Sequence, residues 1–215
     1  MSLLLRILIA VVAGYLLGCC NGSMMASHFI IKDDVRAHGS GNAGLTNFYR
    51  TYGARYALVV ILCDMLKTVI AALIGGALFA PLGQRVLGVL IAGIACSLGH
   101  IFPVFFGFRG GKGILSGGTL LWFIDWRVGL IAWVLFALLW AVSRYVSLGS
   151  VTSAVSAPIS AFFVFDGDPL YTVLCLVLAA LVVWCHRGNI VRLIKGTENK
   201  FQWHKDAPKE KGNQQ

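Results

Sequence analysis

Apolar stretches of bilayer-crossing length recur along almost the whole chain, and this limits its fold more than any other feature. They fall at about 3–27, 54–80, 86–106, 113–124, 128–143, 147–165 and 169–186. Covering the ~30 Å hydrocarbon core of a bilayer takes roughly 17–25 apolar residues in an α-helix. Inside lipid every backbone N–H and C=O has to be satisfied by the protein itself, which selects helices for segments of this length. The expected fold is an all-α integral membrane protein with seven transmembrane helices. Segments four and five are short for a full span, so tilt, local thinning or a partly re-entrant course is expected of them. Composition agrees: 58% of residues are hydrophobic and 13% charged, against about 25% charged in a soluble domain. The first run carries one leading basic residue, Arg6, as a secretion signal would. It is longer than a signal's apolar region and no small-residue cleavage site follows, so it is expected to stay as a helix.

Net charge is +9. In so apolar a chain this excess reads as basic loops facing anionic lipid and substrate, and no nucleic-acid partner is expected. Placing the N-terminus outside leaves only Arg6, Arg85 and Arg127 of the 18 Lys and Arg on that side. Fourteen fall inside and Lys67 lies within a span. That bias predicts an outer N-terminus and a cytoplasmic C-terminus. Residues 1–200 read as one membrane domain and 201–215 as a polar, mobile cytoplasmic tail. The cysteines, Cys19, Cys20, Cys63, Cys96, Cys175 and Cys185, sit in or beside apolar runs with no C-x-x-C pair. They are expected to behave as small buried hydrophobes rather than as metal ligands or disulfides.

Three glycine-rich cationic stretches interrupt this pattern, and the topology puts all of them on the cytoplasmic face. The first runs Arg36-Ala-His-Gly-Ser-Gly-Asn-Ala-Gly-Leu-Thr-Asn47. Small residues at Gly39, Gly41 and Gly44 let successive N–H groups point at one oxyanion. Ser40, Asn42 and Asn47 add side-chain donors, and Arg50 can reach back from the following helix. The second joins Gly99-His-Ile-Phe-Pro103 to Arg109-Gly-Gly-Lys-Gly113. It resembles a nucleotide-binding P-loop but fails it, with Phe106 in place of the first glycine and Gly113 in place of the Ser or Thr. What remains is Lys112 among Gly110, Gly111 and Gly113 at a helix start, where an anion is favoured, with His100 close by. In the third, His186, Asn189 and Arg192 follow one another at helical spacing on one face. Glu198 reads as a partner that orients Arg or Lys. Bland readings stand beside each stretch: a flexible loop, a membrane-anchoring lysine and a basic helix cap.

Outside the stretches, Asp64 and Lys67 lie three apart inside the second apolar segment. They read as a mutual pair that shapes the cavity beside them. The loop Ser143–Ser150 offers Ser147 and Ser150. Two apparent motifs are set aside as chance. His28-Phe-Ile-Ile-Lys-Asp33 matches an H-x-x-x-x-D acyltransferase pattern without its companions, and Asn21-Gly-Ser23 is a glycosylation match inside an apolar run. No G-x-S-x-G elbow is present.

Taken in order, the three stretches resemble the bacterial acyl-phosphate:glycerol-3-phosphate acyltransferases, the PlsY family, over essentially the whole chain. Small departures are Leu45 where the family has Ala, Arg109 where Lys is common, Ile114-Leu-Ser116 where Val-Ala-Thr is usual, and Thr68 where Gly often follows the lysine. The resemblance implies transfer of a fatty acyl group from acyl phosphate to the 1-hydroxyl of glycerol 3-phosphate. Lysophosphatidic acid and phosphate would be the products, in a bacterial inner membrane, with no cofactor and no obligate protein partner. It further implies that Lys112, its glycines and Ser147 or Ser150 hold glycerol phosphate. Ser40, Arg50, Asn189 and the first loop would hold acyl phosphate. Either His100 or His186 is a candidate general base, or the departing phosphate takes the proton itself. A transporter of phosphorylated anions is the rival reading, with a non-catalytic lipid-binding scaffold behind it. No internal repeat favours transport.

Overall fold

The computed structural model describes residues 1–202; residues 203–215, the greater part of the expected polar tail, lie outside the described residues. The described residues form α1 (Leu3–Cys19), α2 (Gly22–Met25), α3 (Leu45–Tyr52), α4 (Ala57–Phe79), α5 (Arg85–Ile101), α6 (Ile114–Ile124), α7 (Trp126–Ser143), α8 (Val146–Val164), α9 (Pro169–Cys185) and α10 (Arg187–Ile194). There is no strand among them. Each apolar segment expected from the sequence is helical. Four helical segments, Ala57–Leu82, Arg85–Phe106, Trp126–Ser143 and Val146–Val164, are long and apolar enough to cross a membrane. Two bent pairs meet the same length and composition when each is taken as one span: α1 with Gly22–Ile31 at 41°, and α9 with α10 at 62°. At 11 residues α6 is about 16 Å long, roughly half the hydrocarbon core.

Sequence periodicity fixes which face of each helix turns inward. On α4, Val60, Asp64, Lys67, Ala71, Gly75 and Phe79 are buried, a stripe at the three- and four-residue spacing of one helix face. Leu58, Leu62, Leu66 and Leu73 on the other side are exposed, as suits a lipid-facing surface. The most enclosed helix is α5, which packs between α1 and α4. Small residues allow this: a Cβ on Gly14 would overlap the Ala92 carbonyl, and one on Gly18 the Cys96 carbonyl. Close backbone approach through small residues is how helices associate where lipid removes the hydrophobic drive. A second core joins α5 and α6 to α7, α8 and α9 through Leu90, Leu120, Val128, Ala157 and Cys175.

The loops divide between two ends of the bundle. At one end Arg6 donates to the Leu78 carbonyl and Arg127 is influenced by Asp125 and Asp166. The Arg36, Arg109, Arg144 and Asn199 neighbourhoods are tied together at the other, by Arg36 to Arg109 and Phe106 carbonyls, Arg50 to Asn199, and Phe201 to Arg144. Phe201, placed at the head of a mobile tail by the sequence, is therefore held. Its N–H donates to the Arg144 carbonyl at 2.7 Å, and its ring stacks on Tyr49 and meets Trp140 edge-on.

Candidate active site

The first stretch is a loop wrapped around one amide. Asn47, on the first turn of α3, donates through Nδ2 to the carbonyls of Val35 (3.0 Å) and His38 (3.1 Å). Its Oδ1 accepts the Ser40 N–H at 2.9 Å. The Asn47 amide is thus spent on the loop, which corrects the expectation that it binds phosphate directly. Gly41 likewise gives its N–H to the His38 carbonyl, so the expected nest of free N–H groups does not form at Ser40 and Gly41. Gly39 has φ +56°, and a Cβ there would run into Asn47 Oδ1. What the loop presents is the Ser40 hydroxyl, which has no partner among the described residues, and the start of α3.

The second stretch folds back on the end of α5. Gly110 and Gly111 donate to the carbonyls of Ile101 (3.0 Å) and His100 (3.1 Å). Their N–H groups are occupied, and neither glycine lines the cavity described below; their place is structural. Gly111 must be glycine for another reason, since a Cβ would collide with the His100 ring. The refold delivers Lys112 and Gly113 to the N-terminal end of α6, where Gly113 is the N-cap and supplies no side-chain cap.

In the third stretch the chain breaks at His186 between α9 and α10. Glu198 returns to cover the break. Its Oε1 accepts from Asn189 Nδ2 at 2.7 Å and Ser147 Oγ at 3.1 Å, and its Oε2 from Arg192 Nε at 2.7 Å. Lys112 Nζ donates to Asn189 Oδ1, so one chain of hydrogen bonds runs from Lys112 through Asn189 and Glu198 to Arg192. Burial works to raise the Glu198 carboxyl, but those three donors outweigh it and hold it below the usual range. For Lys112 burial lowers the ammonium pKa; Glu198 opposes that shift and Arg192 adds to it. Arg50 is also lowered, by burial first.

These pieces enclose one cavity of about 770 Å³. Of the residues singled out in the sequence, Ser40, Gly41, Asn42, Asn47, Arg50, Asp64, His100, Lys112, Gly113, Ser147, Ser150, His186, Asn189, Arg192 and Glu198 line it. Gly39, Lys67, Gly110 and Gly111 do not. Three helices, α3, α6 and α8, begin at its wall without a side-chain cap. First-turn N–H groups lacking partners carry the positive end of each helix dipole. With Lys112, Arg50 and Arg192 they give the cavity a strongly positive wall, as suits an anionic ligand. Ser150 contributes less than its type suggests, because its hydroxyl donates back to the Val146 carbonyl at 2.8 Å. The same lining includes an apolar stretch of Leu115, Gly118, Ala132, Trp133 and Phe136. Within it Trp133 ties α7 to α6, its indole N–H donating to the Gly118 carbonyl at 2.9 Å.

Behind the cavity lies a buried polar cluster. Lys67 Nζ donates to Asp64 Oδ1 at 2.7 Å and to the carbonyls of Gly18 and Cys20 at 3.2 Å. It also meets His100 Nδ1 at 2.8 Å, while Asp64 accepts the Gly22 N–H at 3.1 Å. An ionised pair inside a membrane bundle survives only with such saturation. The cluster includes Asn21, which sequence reasoning dismissed. Asn21 is fully buried; its Oδ1 caps α2 by accepting the Met24 N–H, and its Nδ2 donates to the Ala43 carbonyl. Thr46 and Trp133 were also missed; only their positions on a helix start and across from Gly118 mark them. The H-x-x-x-x-D match does not form a pair, since Asp33 accepts from His38 at 2.8 Å and Tyr52 at 3.0 Å.

Comparison with known proteins agrees with this arrangement. The glycerol-3-phosphate acyltransferase family model matches residues 8–196. A glycerol-3-phosphate acyltransferase of Thermoanaerobacter pseudethanolicus is 40% identical over 91% of this chain and 95% of its own length. Another, of Shouchella clausii, is 41% identical over 93% and 98%. The crystal structure of PlsY, an integral membrane glycerol 3-phosphate acyltransferase, in its glycerol 3-phosphate form superposes with a TM-score of 0.80. Identity is 33%, covering 91% of this chain and 96% of that one. The lysophosphatidic acid form gives 0.77 at the same identity. A multi-pass helical membrane protein with a polycationic cavity beside an apolar arm, matched over nearly its full length, this chain belongs to the glycerol-3-phosphate acyltransferase family of PlsY.

Proposed function

We propose that the enzyme takes its acyl group from acyl phosphate and gives it to the 1-hydroxyl of glycerol 3-phosphate. The observation that carries this reading is the single cavity that three uncapped helix starts, Lys112, Arg50 and Arg192 share with an apolar stretch of wall. Two phosphates and one acyl chain fit that division of chemistry. A coenzyme or carrier-protein thioester would need a further seat for its carrier. Lys112, Gly113 and Ser147 hold the glycerol phosphate. Ser40, Arg50, Asn189 and the α3 start hold the acyl phosphate, with its tail along Gly118 and Trp133. The hydroxyl oxygen attacks the acyl carbon, the carbon–oxygen bond to phosphate breaks, and phosphate leaves with that electron pair. Donors aimed at the developing oxyanion stabilise the transition state, and holding both substrates together removes much of the entropic barrier.

The hydroxyl proton passes to the departing phosphate. His186 is the alternative base: its Nδ1 lies 2.8 Å from the Val182 carbonyl, so that nitrogen donates and Nε2 keeps the lone pair. Substitution of His186 by Gln with retained turnover supports the phosphate; complete loss with substrate binding intact supports His186. The positive-inside bias supports an outer N-terminus, seven crossings with α6 as the short one, and a cavity opening to the cytoplasm of a bacterial inner membrane. The donor is tested with purified protein in detergent, glycerol 3-phosphate, and either palmitoyl phosphate or palmitoyl-CoA. Lysophosphatidic acid and phosphate should form with palmitoyl phosphate alone. Product from the CoA ester only would overturn the proposal.

A further inference from the structure

His100 is 4% exposed, lines the cavity, and spends one ring nitrogen on the buried cluster behind it. The nearest polar atom to Nδ1 is Lys67 Nζ at 2.8 Å. An ammonium can only donate, so Nδ1 accepts. Asn21 reinforces this. Its Oδ1 is fixed by the Met24 N–H, which turns its Nδ2 toward the Ala43 carbonyl and to within 3.4 Å of the same nitrogen. The Asp64 carboxylate is 3.5 Å from Nδ1, farther than Lys67, and it is already engaged by Lys67 and the Gly22 N–H. With Nδ1 accepting, the neutral imidazole carries its proton on Nε2. That atom has no partner among the described residues; it lies against Gly111, where a Cβ would strike it, on a ring that lines the cavity.

We infer that His100 serves the reaction as a fixed Nε2–H donor to an anionic oxygen of bound substrate, with Lys67, Asp64 and Asn21 as positioning residues that hold this tautomer. This rests on the acyl-transfer reading of the cavity and removes His100 from the candidate bases. The donating atom faces an oxygen of either phosphoryl group.

Nitrogen-15 NMR of the intact histidine-labelled protein in detergent reads the tautomer directly. The expected spectrum has one neutral histidine protonated at Nε2 that is lost in His100→Gln and shifts on saturation with glycerol 3-phosphate or inorganic phosphate. A His100 resonance protonated at Nδ1, or one unmoved by both anions, overturns the inference. Turnover gives a second readout. His100→Phe should lose roughly 100-fold in kcat/KM, the scale of one lost oxyanion-hole donor, while His100→Gln, which keeps an N–H, should stay within about tenfold. A rise in KM for glycerol 3-phosphate alone or for acyl phosphate alone names the phosphoryl group contacted. Wild-type activity in His100→Phe defeats the idea. Lys67→Met should lower kcat and mix the tautomers, with Lys67→Arg restoring both. A wild type that uses palmitoyl-CoA instead of palmitoyl phosphate would overturn the donor proposed above and leave the tautomer result standing.

Discussion

At the residue scale, the site works by spending some polar groups on structure so that a few remain free for substrate. Asn47 gives both amide hydrogens to the loop, and Ser40 keeps its hydroxyl open. Glu198 accepts from Asn189, Arg192 and Ser147 and so holds three donors of the cavity wall in place. Lys112 is the free cation of this arrangement only in part, since Asn189 accepts one of its protons. Charge-assisted hydrogen bonds contribute about 1.5–3 kcal/mol, so Lys112→Met should raise KM for glycerol 3-phosphate roughly 10- to 100-fold. The lysine also sets an alkaline limit. Burial holds its folded pKa below the usual lysine value, so the charged form, and with it substrate affinity, is present below that lowered value and is lost as pH rises through it. Lys112→Arg should shift this limb to higher pH, because guanidinium stays charged. A steady-state pH profile of KM checks both; an unmoved limb would assign it to another group.

Helices position these side chains, and their own fit depends on small residues. The α1–α5 seam has backbone against backbone at Gly14 and Ala92, so Gly14→Leu has to push the helices apart. Overpacking of this kind costs about 1–3 kcal/mol, and a lowered Tm in detergent, with a parallel fall in kcat because α5 carries His100, is the expected result. The α6–α7 pair carries the apolar arm. Trp133→Ala removes a large part of its wall and should shift preference toward longer acyl phosphates in a chain-length series; an unchanged optimum would place the tail elsewhere. These element-level facts were unevenly legible in the sequence. Helical segments and the buried stripe of α4 follow from periodicity, and the glycine and cation content marked the three stretches. Which glycines meet ligand did not follow, because Gly110 and Gly111 give their N–H groups to the end of α5, a tertiary contact with no local signature. Asn21 was invisible for the same reason: its partners Ala43 and His100 are distant in sequence.

Over the whole molecule, the separation of loops into two ends is the feature that charge counting reads best. The end bearing Arg6, Arg85 and Arg127 is sparsely basic, and among the described residues the cavity end holds Arg36, Arg50, Arg109, Lys112, Arg144 and Arg192. Reporter fusions should therefore place the Pro81–Gly83, Asp125–Arg127 and Asp166–Asp168 turns outside and the C-terminus within the cytoplasm. A cytoplasmic signal from any of those turns would invert or reduce the crossing count. The two ends also explain why distant stretches of sequence share one site: each glycine-rich stretch follows or precedes a helix that returns to the same face. The central claim is that this face holds one cavity with two phosphate seats. Its most direct test is binding of glycerol 3-phosphate and a non-transferable acyl phosphonate to the purified protein, each alone and each against saturating amounts of the other. The account predicts that both bind at once and that inorganic phosphate competes with each; mutual exclusion of the two ligands would contradict it.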